Sequence, residues 1–162
     1  MGREVRRVSA DWVHPKKEGD DRYIPLLPDY AEAVANFMMI FAKSGLQKAI
    51  DYHGVPDKKN YMPEWLESEK THYMMYEITS EGTPKSPAFS TPEELAHWLA
   101  DTGASAFGSM TADYEHWLYI ARGNWAPSAI MSNDDKIQSG VEAANLINDE
   151  KVNVEMDGSM DQ

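Results

Sequence analysis

The sequence predicts an α+β fold: a small, mainly antiparallel sheet with about three helices packed on it. Three observations carry this expectation. Thr71–Thr79 has the composition and alternation of a strand. Three segments, after Asp29, Thr91 and Thr111, open with the side chains that cap helices. Hydrophobic residues make up 42% of 162 positions, enough for one core that buries roughly 68–70% of the unfolded surface.

Taken in order, Arg3–Val13 mixes Val5 and Val8 with charge and reads as an edge strand. His14-Pro15 and the run Lys16–Arg22 read as a polar loop, and Tyr23–Pro28, stiffened by two prolines, as extended chain. Asp29 caps a helix over 29–43, in which Tyr30, Val34, Phe37, Met38 and Phe41 share one face. Gly45 breaks it, and Leu46–Tyr52 continue at an angle as far as Gly54. Val55–Glu69 is a loop pinned by Tyr61, Met62 and Trp65. The Thr71–Thr79 strand, expected at or near the centre of the sheet, sets Tyr73, Met75 and Glu77 on one side and His72, Met74, Tyr76 and Ile78 on the other.

Ser80–Pro87 is turn chemistry, and Ala88-Phe89 pairs back as a short strand. Thr91-Pro92-Glu93-Glu94 supplies an N-cap, a proline at the first helical position and a capping-box glutamate for a helix over 91–102. Leu95, Trp98 and Leu99 form its buried stripe, and Gly103 ends it. A helix over 111–122, capped by Thr111, presents Tyr114, Trp117, Leu118 and Ala121 inward and stops at Gly123. Trp125–Met131 reads as a strand, Ser132–Asp135 as a turn, and Ile137–Ile147 as a strand followed by a short helix. One globular domain over 1–148 is expected, with 149–162 a loose acidic tail.

Charge and composition narrow the function. The net charge is −12. Residues 1–22 hold six basic against five acidic side chains, leaving −13 on the remaining 140 residues. Such a field repels phosphate backbones and anionic lipid, so neither direct nucleic-acid binding nor a membrane partner is expected. An acidic face that meets a basic partner and plain solubility both fit it. Without cysteine, thiol catalysis, disulfides and thiolate zinc sites are excluded, and a cytoplasmic location is the default. The opening residues lack the apolar region of a secretory signal.

No motif announces an enzyme. His14, His53, His72, His97 and His116 form no helical metal pair, so no metal or cofactor is expected. Glu93-Glu94 and Asp113 with Glu115 are explained by helix ends, and Asp134-Asp135 by a turn. Catalytic residues are therefore left unassigned. Ser80-Glu81-Gly82-Thr83 at a strand end resembles an anion cradle, although a connecting turn has the same composition. Trp125 is the tryptophan freest to stack on a base, and Arg122 is close enough in sequence to pair with phosphate. With Tyr76, these form the ligand-binding candidates: Tyr76, Ser80, Glu81, Gly82, Thr83, Arg122 and Trp125.

Thr71-His72-Tyr73, Tyr76-Glu77, Thr79–Pro84, Ser86-Pro87, Thr91–Leu95 and Trp98–Asp101 together resemble a family of small hypothetical proteins of tailed phages and prophages. Gly2–Val8, Trp12 and His14-Pro15 resemble the family's opening. The similarity covers about two-thirds of the chain and weakens over 29–60 and at the tail. It implies origin, not activity, and carries no catalytic residue with it. A small acidic phage protein is expected to be a non-enzymatic accessory that binds a host protein, including one of defence. Three alternatives stay open: a binder that sequesters a nucleotide-like small molecule, a metal-assisted enzyme on nucleotides or nucleic acid, and a minor virion component.

Overall fold

The computed structural model describes residues 2–78, 82–131 and 137–144. Arg3–Val8 forms β1, the middle strand of a three-stranded antiparallel sheet, with β2 (His72–Glu77) on one side and β3 (Trp125–Ala126) on the other. The expected edge strand is thus central, and it stops at Val8 rather than Val13. Its arginines mislead a reading by composition. Arg3 and Arg6 are buried because each guanidinium finds acceptors, which removes the main cost of burying a charge.

Register divides the sheet into two faces. Arg3, Val5 and Arg7 pair with Glu77, Met75 and Tyr73, while Glu4, Arg6 and Val8 pair with Tyr76, Met74 and His72. Paired residues project to the same side, so the odd-numbered side chains of β1 and β2 share one face and the even-numbered the other. The free side of β2 is met by bridges from Phe89 to Tyr73 and from Pro84 to Tyr76. β2 is therefore near-central, and Ala88-Phe89 does pair back.

The odd face carries the main core. It packs against α3 (Pro92–Asp101) and α4 (Tyr114–Ala121) through Met75, Leu95, Leu99, Trp117 and Ile120, all fully buried. Thr91 caps α3 by accepting the Glu94 N–H at 3.1 Å, and Pro92 opens the helix. α4 starts later than expected. Its cap is Asp113, whose carboxylate accepts the His116 N–H at 3.1 Å, and not Thr111.

The even face is closed by irregular chain. Val8, Leu26, Met62, Met74 and Tyr76 are buried there, with Trp12 and Trp65 against them. The Leu27 N–H donates to the Asn60 carbonyl and the Met62 N–H to the Leu27 carbonyl, which pins the 55–69 loop as expected.

Tyr30–Ser44 forms α1 and Leu46–His53 forms α2. Gly45 breaks them at φ 88°, a conformation that excludes most side chains, and Gly54 ends α2 at φ 70°. The α1 stripe read from spacing does not reach the core. α1 has no buried residue and among the elements packs chiefly on α2. Trp125–Met131 is two strands rather than one. β3 joins the main sheet, whereas β4 (Ala129–Met131) pairs with β5 (Ile137–Ser139) in a separate hairpin. Pro127 has no N–H to continue a ladder, and the chain changes partner there. Residues 140–144 are helical, following β5 as expected. The expected turn at Ser132–Asp135 and the tail lie outside the described residues.

Candidate functional site

The even face of the sheet holds a connected polar cluster with Tyr76 at its centre. β2 fixes Tyr76 beside Glu4 of β1, and the segment that leaves β1 folds back over both. Trp12 donates its indole N–H to Tyr76 Oη at 3.1 Å. His14 Nδ1 lies 3.0 Å from the same oxygen, and His14 Nε2 lies 2.7 Å from the Ile24 carbonyl. A carbonyl only accepts, so Nε2 carries the ring proton and Nδ1 accepts from the Tyr76 hydroxyl. The chain of donors therefore runs from Trp12 to Tyr76 to His14 to Ile24 with every position filled.

Electrostatics support that assignment. Burial holds His14 below the ordinary histidine range, with the Ile24 bond opposing and the nearby Arg6 charge assisting. Burial also raises the Tyr76 hydroxyl to about 12, against the Trp12 bond and the Arg6 charge. Both groups are neutral at physiological pH. Arg6 lies over the Tyr76 ring at 4.3 Å, donates to the Leu26 carbonyl at 2.8 Å and pairs with Glu4 at 2.6 Å. On the opposite face, Glu77 joins Arg3 at 3.3 Å and Lys85 at 2.6 Å.

Outside this cluster lies an open groove of about 870 Å³ between residues 12–23 and 84–88, with Trp98 at one wall. Its lining is mainly apolar: Trp12, Val13, Pro15, Tyr23, Met74, Pro84 and Pro87. Lys16 and Lys85 stand on it as well. The Ser86 hydroxyl is engaged, accepting the Met75 N–H at 2.9 Å and donating to the Pro87 carbonyl at 2.7 Å.

The candidates read from sequence divide around this site. Tyr76 is fully buried at the centre of the polar cluster and does not line the groove. Ser80 and Glu81 lie outside the described residues. Gly82 abuts Leu26, accepts the Leu26 N–H at 3.1 Å, and has no room for a side chain, since a Cβ would fall 2.3 Å from the Leu26 carbonyl oxygen. The Thr83 carbonyl accepts from Glu77. Trp125 pairs with Glu4 across β1 from Tyr76, so Trp125, Glu4 and Tyr76 form one row on the even face, and Trp125 is 61% exposed at its edge. Arg122 is apart from them, at the end of α4, paired with Glu93 at 3.2 Å.

Sequence reasoning missed His14, Arg6, Ile24 and Leu26. The last two act through backbone carbonyls, for which side-chain identity gives no signal. His14 beside Trp12, ahead of an aromatic and proline-rich stretch, was the available hint. Among the described residues no group of three or more His, Asp and Glu could hold a metal ion. No helix is long and apolar enough to cross a membrane among those residues.

No match was found to any protein-family model, curated protein or solved structure.

Proposed function

We propose that this is a non-enzymatic accessory protein of phage origin that acts in the host cytoplasm by holding an extended, apolar segment of a host protein in the Trp12–Ala88 groove. One observation carries the reading. The polar side chains beneath the groove, Tyr76, His14 and Ser86, spend their hydrogen-bonding capacity on one another and on the backbone. What remains for a ligand is aromatic and proline surface, since the two lysines on the groove, Lys16 and Lys85, pair with Asp21 and Glu77. Grooves of that kind receive extended peptide chain.

The phage origin rests on the likeness of residues 71–101 and the N-terminal strand to small phage proteins. A nucleotide-like ligand has less support, because Gly82 and Thr83 use their backbone groups within the fold and Arg122 points to Glu93.

The test compares the native chain with Val13→Asp in pull-downs from host lysate. Val13 is 81% exposed, so the change alters the groove without entering the core. One stoichiometric host protein, recovered by the native chain and lost by the variant, is the expected result. Equal recovery by both, or none by either, overturns the reading. A small-molecule adduct in native mass spectrometry would transfer the groove to a nucleotide-like ligand.

A further inference from the structure

α1 is too apolar for the position it occupies. Of its fifteen residues only Glu32, Asn36, Lys43 and Ser44 are polar or charged, yet none of the fifteen is buried. A helix this apolar belongs inside a fold or an assembly. α2 covers one side; Met38 and Met39 are 51% and 62% exposed, Met39 at the edge of the cleft between the two helices.

Charge indicates what covers it. α1 and α2 carry Glu32, Lys43, Lys48 and Asp51, a net charge of zero on a chain of −12. A second copy docked on these helices therefore meets no net like charge there. Glu32 and Lys43 are eleven residues apart, about 20° around the helix axis, and so lie on the same face as Met39, at its two ends. Neither side chain enters an ion pair among the described residues. Two such helices packed antiparallel about a twofold axis between positions 37 and 38 set Glu32 of each opposite Lys43 of the other. A twofold interface requires this reciprocity, in which residue i meets j and j meets i.

We propose that a second copy of this chain covers α1, forming a twofold dimer whose seam is Met38 and Met39 with Ala35 and Ala42 between two symmetric Glu32–Lys43 pairs. The alanines let the helix axes approach closely. The cleft between α1 and α2, lined by Met39, Ile40, Lys43 and Tyr52, continues the same face and widens the contact.

Sedimentation equilibrium of the full chain tests this. The native protein should be a dimer at micromolar concentration, and Met39→Glu should be a monomer. Glu32→Lys and Lys43→Glu should each weaken association roughly tenfold by placing like charges opposite one another. Combining them swaps the charges and should restore native affinity. All three positions are exposed, and unchanged thermal melting of the Met39→Glu monomer controls for folding. A monomeric native chain overturns the proposal, as does a double variant no tighter than the singles.

Discussion

On the odd face of β1 and β2, two amphipathic helices lay apolar side chains against Val5, Tyr73 and Met75. On the even face, the cover is irregular chain held by Trp12, His14, Arg6 and the carbonyls of Ile24 and Leu26. The odd face is closed by area and packing, which are non-directional and spread over many contacts. The even face is closed by a few directional bonds, each of which depends on its neighbour. A groove can form on the second kind of surface because loops held at points need not fill the space between them.

The sharpest way to break this contrast is to make a comparable loss on each side. Leu99→Ala empties part of the helix-covered core, where Leu99 is fully buried, and should cost about 2–5 kcal/mol in urea denaturation. Tyr76→Phe keeps nearly all the volume on the even face but strips the partner from Trp12 Nε1 and His14 Nδ1. It should cost about 1–3 kcal/mol by the same measurement. If Tyr76→Phe proved neutral, the polar chain would be ornament, and the even face would be held by packing like its opposite.

The smallest effect is also the most selective. His14 in the folded chain is held below its ordinary value of 6.5, chiefly by burial. As pH falls through about 6.5 the unfolded chain takes up a proton that the folded chain refuses, so stability declines from there down through the folded value. That decline should appear in denaturation midpoints recorded above the carboxylate range. It should flatten in His14→Gln, which loses the titrating ring, whereas Leu99→Ala should keep the native slope. A native protein equally stable across this window would mean that His14 accepts a proton in place.

The contrast also explains what the sequence disclosed. Thr91-Pro92-Glu93-Glu94 is a local signal, because the cap, the proline and the acidic turn act within four residues, and α3 begins where they place it. The alternation of β2 was equally legible and put Tyr76 and Glu77 on opposite faces as observed. The even-face cluster was not legible beyond Tyr76. His14 and Tyr76 are 62 positions apart, and the loop joining them to Leu26 has no period. Arg3 and Arg6 were read as edge-strand charge, since nothing in their own sequence shows that Glu77, Glu4 and the Ser105 and Leu26 carbonyls will be waiting. α1 erred the other way: its spacing was helical, but periodicity reports only that a face is apolar and not what will cover it.

The central place of β1 has a consequence for how the chain reaches this state during synthesis. β1 is translated before either of its partners, and it pairs with residues 72–77 and then with residues 125–126. Until the latter emerge, one of its edges stays open, and the segment that will form the helical cover is still being made. Such distant pairing slows folding, because loop closure is opposed by entropy before contacts reward it. Between the synthesis of residues 72–77 and that of residues 125–126, then, the nascent chain carries an unsealed ladder edge on β1. The arginines at positions 3, 6 and 7 place like charge along that edge, which discourages two nascent chains from joining there.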